Sequence, residues 1–263
     1  MEEELSSQKN LKSVAEKSYE KILSSRDDLE FFQEPYQHLV LENFFEEAFA
    51  NHALENFPSV DSEGWDNSLD QDIEIKLRSN WFSEFDIPDG VINIVRIFNS
   101  SYFLKAISER FSIQKLIPDP YFTGGGLNIT EKDGLLDVHV DGNYHDATGL
   151  NRRLNVLFYL NKDWKDEYGG HFGIYDKTGK KCIKQISPSF NSLVIFNTHD
   201  KSYHGLPNPL NCPAGMNRKS IILYYYTKEP RPSNDTSVAE PHSALWVKRN
   251  NLDKKGNKTR DFE

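Results

Sequence analysis

The residues with the clearest capacity for chemistry are His139-Val140-Asp141 and, further along the chain, His204. Side chains on a β-strand alternate faces, so His139 and Asp141 would point the same way and could grip one metal ion together. A third ligand must come from another element. His204, in Ser202-Tyr203-His204-Gly205, follows the apolar run Leu193-Val194-Ile195-Phe196 and is placed to supply it if two strands of one sandwich are brought side by side. Two imidazoles and a carboxylate on one face of an ion suit iron(II) and leave open positions for a cosubstrate and dioxygen.

A His-x-Asp pair alone is common, and its bland reading is a strand-end pair at the surface. Arg218 raises its weight. It stands beyond His204, ahead of Lys219-Ser220 and the aromatic run Ile221-Ile222-Leu223-Tyr224-Tyr225-Tyr226. A planar guanidinium held on a strand can pair with a carboxylate through two parallel hydrogen bonds, which makes Arg218 the natural anchor for the distal carboxylate of 2-oxoglutarate.

The elements that must position these residues are short β-rich runs separated by turn residues, beginning after Pro118-Asp119-Pro120: 126–130, 137–140, 153–160, 170–175, 182–186, 192–197 and 220–227. They suffice for two facing sheets. Upstream, apolar spacing predicts one helix from about Leu41 to Leu54 behind an Asn43 cap, and two more within 89–112. Residues 1–35 are polar and read as an arm or a marginal helix; 36–232 form a single domain, with helical support at 36–118 and a β core at 119–232. Residues 233–263 are an extension whose apolar island Leu245-Trp246-Val247 is expected to wrap the core. Gly124-Gly125-Gly126 precedes a strand rather than a helix and reads as a turn, not a nucleotide loop.

Composition narrows the functional classes. Hydrophobic residues make up 37% of the 263 and aromatics 13%, enough for one substantial core. No apolar run approaches the roughly 18 residues of a membrane span. The acidic start lacks the features of a secretory signal, so a cytoplasmic setting is expected. Cys182 and Cys212 lack metal or disulfide spacing. A net charge of -9 argues against nucleic acid as a partner.

From His139 to Tyr226 the chain resembles the prolyl 4-hydroxylase-like 2-oxoglutarate oxygenases, including the oxygen-sensing prolyl hydroxylases. The ordered motifs are His139-Val140-Asp141, Leu157-Phe158-Tyr159-Leu160-Asn161-Lys162-Asp163-Trp164, Gly169-Gly170, Ile186-Ser187-Pro188-Ser189-Phe190, His204-Gly205 and Arg218-Lys219-Ser220. The resemblance implies a mainly β fold, a double-stranded β-helix of the jelly-roll or cupin type, braced by N-terminal helices. It implies iron(II) on His139, Asp141 and His204, the C5 carboxylate of 2-oxoglutarate on Arg218, and a hydrogen bond to it from Tyr159. Asn128 and Ser220 are further candidates for the cosubstrate pocket. His204-Gly205 fits the family pattern better than His199 five residues earlier. The implied reaction consumes dioxygen, releases succinate and CO2, and hydroxylates proline or a prolyl residue, with ascorbate as a candidate reductant. Halogenating relatives carry a small residue in place of Asp141, so its presence implies hydroxylation.

Other readings remain at this stage. The substrate could be another amino acid, a natural product, a lipid or a sugar. A non-catalytic 2-oxoglutarate or metal sensor would keep the same barrel, and a zinc hydrolase would leave Arg218 and Tyr159 without a task. Substrate choice is expected to lie in loops at 66–84, 143–152 and 208–217. His145 and Asp146 are candidates for the pocket entrance, with a plain surface loop as the alternative, His171 reads as a packed residue, and Arg152-Arg153 reads first as solvated charge at a strand start, with contact to an acidic substrate as the alternative.

Overall fold

The computed structural model describes residues 7–70, 73–232 and 240–247. In chain order its elements are helix α1 (Gln8–Leu23), strands β1 (Phe31–Phe32) and β2 (His38–Leu41), helix α2 (Glu47–Glu55), strands β3 (Trp65–Asp70) and β4 (Glu74–Ser79), and helices α3 (Val91–Phe98) and α4 (Ser101–Arg110). Then follow β5 (Ile117–Pro118), β6 (Gly126–Thr130), β7 (Leu135–Val140), β8 (Asn151–Tyr159), β9 (Phe172–Tyr175), β10 (Cys182–Ile186), β11 (Ser192–Asn197), β12 (His204–Leu206), β13 (Arg218–Thr227) and β14 (Leu245–Trp246). The strands join in the order β1-β2-β11-β8-β13-β6-β4-β7-β12-β9-β10. β4 pairs with both β6 and β7, so it links the larger run of strands to the smaller one.

Alternation along the strands decides what each face of the larger run does. Leu154, Val156 and Phe158 of β8, with Leu193 and Ile195 of β11 and Ile221, Leu223 and Tyr225 of β13, join the helix-facing core. The intervening Leu157 and Tyr159 of β8 and Val194 and Phe196 of β11 meet Phe172, Ile174 and Ile186 from β9 and β10, closing the barrel. This is the double-stranded β-helix expected from the sequence. On the helix side Phe158 lies with its ring centroid 5.2 Å from that of Phe45 and 5.8 Å from that of Phe98. Each such buried ring contributes on the order of 2–3 kcal/mol of transfer free energy.

Two expectations require correction. The helix predicted from Leu41 begins later: His38–Leu41 instead pairs with β11, Asn43 adopts a left-handed φ of 48°, and α2 starts at Glu47 behind Glu46. The short apolar run satisfies its backbone at an available sheet edge, which the periodicity could not reveal. Secondly, the segment at 66–84 is not a loop throughout: it is built around the hairpin of β3 and β4, with Trp65 opposite Ser79 and Asp70 opposite Glu74. Of the two readings given for residues 1–35, an arm or a marginal helix, Gln8–Leu23 is a 16-residue helix. Ser7 caps it by accepting a hydrogen bond from the Asn10 N–H at 3.2 Å. Its buried Ala15, Ser18 and Ile22 form a narrow stripe that needs little apolar bulk to dock beside α4. The apolar island at 245–247 does reach the core, as β14 against β7; of the predicted extension, 233–239 and 248–263 lie outside the described residues.

Candidate metal centre and its pocket

β7 and β12 run antiparallel with His139 opposite His204, which brings the two imidazoles together. Asp141 follows immediately after β7, on the same side as His139. His139, Asp141 and His204 are a group able to hold a metal ion, their ligand atoms all lying within 4.8 Å of one another. Asp141 Oδ1 is 3.6 Å from His139 Nε2 and 3.8 Å from His204 Nε2. Both separations are below the ~4.2 Å expected for ligands on opposite sides of an ion with bonds of ~2.1 Å, as a shared face requires.

The surroundings orient these atoms. His139 Nδ1 lies 2.8 Å from the Asp137 carbonyl, and His204 Nδ1 lies 2.9 Å from the Ser202 carbonyl. A proton on each Nδ1 donates to its carbonyl and leaves each Nε2 lone pair facing the other ligands. Asn155 donates to Asp141 Oδ2 at 3.1 Å, leaving Oδ1 for the centre. Burial pushes the His204 imidazole down to about 4, helped by His139 and opposed by Asp141, so His204 is neutral near pH 7. Burial by itself would raise the Asp141 carboxyl, but His204, His139 and Arg152 outweigh it and hold it below the usual carboxylate range. Of the groups that hold the Asp141 carboxyl low, Arg152 is the one that is always charged.

A second group lies deeper in the barrel. Arg218 is buried; its Nε donates to the Gly170 carbonyl at 2.8 Å and its Nη2 to the Tyr159 hydroxyl at 3.1 Å. Tyr159 thus accepts from Arg218 and keeps its own proton for another acceptor. Burial raises the Tyr159 phenol above its ordinary value despite Arg218, so it remains a donor. Ser220 opposes Tyr159 on one side and Asn128 on the other, which puts all three in one row across β8, β13 and β6. Neither polar atom of the Asn128 side chain, nor Ser220 Oγ, has a hydrogen-bond partner among the described residues, although all three atoms are buried. Buried polar groups are rarely left so, and a polar guest would satisfy them. The residues expected to hold metal and cosubstrate thus fall into two groups, the triad of His139, Asp141 and His204, and Arg218 with the row of Tyr159, Ser220 and Asn128.

Arg152, at the end of the 143–152 segment expected to bear on substrate choice, turns inward, which the sequence alone does not reveal. β8 and β13 pair in regular register from Tyr159 opposite Ser220 to Leu154 opposite Tyr225, then slip so that Arg152, not Arg153, opposes Tyr226. A bulge of this kind re-aims a side chain. Arg152 enters a cavity of about 680 Å³ beside His139 and Asp141, its guanidinium 3.9 Å from the Tyr224 ring centroid. Its Nε is sealed from solvent and has no partner among the described residues. Arg153 instead donates to Thr227 at 3.3 Å. The reading of this pair as solvated charge is corrected on both counts. Tyr144 and Asp146 line the cavity, as do Glu74, Lys76 and Arg78 of β4.

The remaining histidines are occupied elsewhere. His145 does not line the entrance: it is buried, with Nε2 3.0 Å from Asp119 Oδ1 and Nδ1 accepting from the Ala147 and Thr148 amides. His171 Nε2 is 3.1 Å from Asp166 Oδ1. His199 Nδ1 accepts from the Lys201 amide at 3.1 Å and stands outside the triad.

Residues 125–226, which span β6 to β13, match the sequence model of the 2OG-Fe(II) oxygenase superfamily. The mouse (Mus musculus) prolyl 3-hydroxylase OGFOD1 is 28% identical over 106 residues, a match covering 37% of this chain and 19% of the relative. The chain thus spans about a fifth of the length of the curated relatives it matches. Among solved structures, a prolyl-4-hydroxylase from Pseudomonas putida has a TM-score of 0.54 at 13% identity, with 73% of this chain and 93% of that chain covered. A prolyl hydroxylase from Trichoplax adhaerens, solved with a hypoxia inducible factor peptide fragment, has a TM-score of 0.52 at 16% identity and coverages of 85% and 95%. No helix among the described residues is long and apolar enough to cross a membrane.

Proposed function

We propose that the protein, whose residues 125–226 match the sequence model of the 2OG-Fe(II) oxygenase superfamily, hydroxylates proline, most readily as a prolyl residue of a peptide, while converting 2-oxoglutarate and dioxygen to succinate and CO2. The observation that carries this reading is the pairing of two sites inside one barrel: a face of two histidines and one carboxylate, and a buried Arg218–Tyr159 pair beside Asn128 and Ser220, whose side chains have no hydrogen-bond partner among the described residues. A zinc hydrolase would need only the first.

The donor set fits iron(II), with neutral imidazole nitrogens from His139 and His204 and one carboxylate oxygen from Asp141. When bound, iron(II) supplies the oxidative decarboxylation of the cosubstrate and the attack on the C–H bond. The protein's part is placement. Arg218 would hold the C5 carboxylate of 2-oxoglutarate, Tyr159 would donate to it, and Ser220 and Asn128 would complete the pocket wall. Asn155 keeps Asp141 turned toward the centre. Arg152 and Tyr224, on the outer side of the triad, suit a peptide: the guanidinium can donate to a backbone carbonyl, and the ring offers an apolar face to a pyrrolidine. The hypoxia inducible factor peptide bound by the Trichoplax relative supports a peptidyl substrate. The relatives' names include both 3- and 4-hydroxylases, so hydroxylation at C4 is the proposal and C3 its alternative. Residues 36–232 would serve as one catalytic unit, in the cytoplasm, with ascorbate as reductant.

The test is succinate formation after anaerobic loading with iron(II) and 2-oxoglutarate, followed by oxygen and a panel of prolyl peptides and free amino acids. The expected result is peptide-stimulated succinate, abolished in His139→Ala and Arg218→Ala, with one oxygen added to proline and its position read from the fragment spectrum. Stimulation by a non-prolyl compound alone would overturn the substrate assignment. No turnover despite intact 2-oxoglutarate binding would overturn the enzyme assignment in favour of a sensor.

A further inference from the structure

One wall of the catalytic cavity has no part in the function proposed above: the C-terminal strap at 240–247. Its strand β14 takes the free edge of β7 at the ligand-bearing end, with Leu245 opposite Val140 and Trp246 opposite His139. The hairpin strand β4 takes the other end of the same edge, where Glu74 opposes Leu136 and Ile75 opposes Leu135. Strap and hairpin thus share one edge of the metal-ligand strand, and both line the cavity.

The strap is fastened at several points. The Asn143 side chain donates to the Glu240 carbonyl at 3.2 Å and accepts from the His242 amide at 2.8 Å. The Asn143 amide donates to the His242 carbonyl at 3.1 Å, and the Val247 amide to the Val138 carbonyl at 2.9 Å. His242 Nε2 lies 3.0 Å from Asp200 Oδ1, a carboxylate with 0% exposure. The strap backbone also passes so close to Gly142 that a Cβ there would stand 2.9 Å from the His242 carbonyl oxygen. Gly142 is not in the left-handed region, so it serves close approach rather than a turn. At the far end the Trp246 ring is 4.5 Å from the His139 ring, centre to centre, and inclined to it by 30°. His139 has the His204 ring 4.4 Å away and its Nδ1 engaged by the Asp137 carbonyl. Trp246 therefore restricts the remaining motion of the imidazole.

We propose that this strap is the substrate-retaining wall of the catalytic cavity, latched by Asn143 and by the approach over Gly142, with Trp246 as a positioning residue for His139. The proposal rests on reading the triad as a metal centre and deepens that reading by assigning substrate retention to a segment outside the family match. Of the latch residues, Asn143 bonds to the strap, whereas Gly142 follows Asp141 directly in the chain. Loosening Asn143 releases the 240–242 end of the strap, while the β14–β7 pairing keeps Trp246 on His139.

The test uses the full chain as wild type, Trp246→Phe, Asn143→Ala and Gly142→Ala. Cobalt(II) binding is followed by its visible absorption, and tryptophan fluorescence is read in the same titration, with Trp65, Trp81 and Trp164 as internal references. Cobalt(II) is expected to quench a wild-type component that is missing in Trp246→Phe and reduced by roughly half or more in Gly142→Ala, where the new methyl displaces the strap. Equal quenching in wild type and Trp246→Phe overturns the placement of Trp246. With a prolyl peptide that stimulates wild-type succinate formation, Asn143→Ala is expected to raise the peptide KM roughly tenfold, leaving kcat and peptide-free 2-oxoglutarate turnover within about twofold. An unchanged KM overturns the retaining role. So does a parallel fall in peptide-free turnover, because Asn143 would then act through the metal centre and not on substrate retention. Wild-type protein that binds cobalt(II) but forms no succinate with any peptide refutes the prolyl reading alone. In that case hydrogen exchange at the Val247 and His242 amides decides for the latch if Asn143→Ala deprotects them, and against it if protection is unchanged.

Discussion

Replacing Tyr159 with phenylalanine removes a single hydroxyl from the floor of the barrel and leaves the ring that packs there. Arg218 commits Nε to the Gly170 carbonyl and one Nη2 hydrogen to Tyr159. A guanidinium has five N–H donors, so the others remain for a carboxylate, joined by the Tyr159 proton. If the C5 carboxylate of 2-oxoglutarate sits there, the variant loses one charge-assisted hydrogen bond. Such a bond is worth about 1.5–3 kcal/mol, which corresponds to a roughly 10- to 150-fold weaker affinity. The fold should be little affected, since Arg218 retains its bond to Gly170. The assay is calorimetric titration of manganese(II)-loaded protein with 2-oxoglutarate, paired with the 2-oxoglutarate dependence of succinate formation. The expected pattern is a raised Kd and KM for 2-oxoglutarate, with turnover at saturation largely kept. A 2-oxoglutarate affinity within about threefold of wild type would refute the placement of the carboxylate.

Three further outcomes follow from the same geometry. Arg152→Lys keeps the charge but loses the planar stack on Tyr224, and is expected to raise the KM of a prolyl peptide about tenfold or more without altering 2-oxoglutarate affinity; steady-state kinetics with each varied in turn checks this. Phe158→Ala empties a fully buried site between Phe45 and Phe98, and urea unfolding should show a loss of about 3–5 kcal/mol, while 2-oxoglutarate affinity per folded molecule is retained because Phe158 faces the helices. Burial lowers the His38 imidazole to about 4, against the weaker pull of its bond to the Tyr36 carbonyl. The unfolded chain therefore binds a proton first as pH falls. The stability associated with neutral His38 is complete above about pH 6.5 and drains away toward pH 4, by roughly 3 kcal/mol at most, and the pH slope of the urea midpoint should be shallower in His38→Gln.

What was legible in the sequence was the part that repeats with period two. The strands at 126–130, 182–186 and 192–197 have the predicted bounds, and the face shared by His139 and Asp141 follows from alternation alone. Two kinds of feature escaped. Strand β2 and the hairpin β3–β4 are short and lean on tertiary partners: His38–Leu41 is a strand because β11 offers it an edge, and Glu74–Ser79 is mostly half-buried, which blurs its pattern. The other kind depends on a single residue of register. Had β8 and β13 stayed in step, Arg153 would oppose Tyr226 and Arg152 would point away from the triad. The slip exchanges them, and nothing in Asn151-Arg152-Arg153-Leu154 marks which arginine turns inward. The same holds for the strap, where the need for glycine at position 142 arises from a carbonyl a hundred residues away in the chain. Strand alternation, which is local, thus builds the metal face, whereas the surface that meets the substrate depends on long-range register and close approach. Variation in substrate among such barrels should therefore fall on residues like Arg152 and Gly142 before it touches the triad.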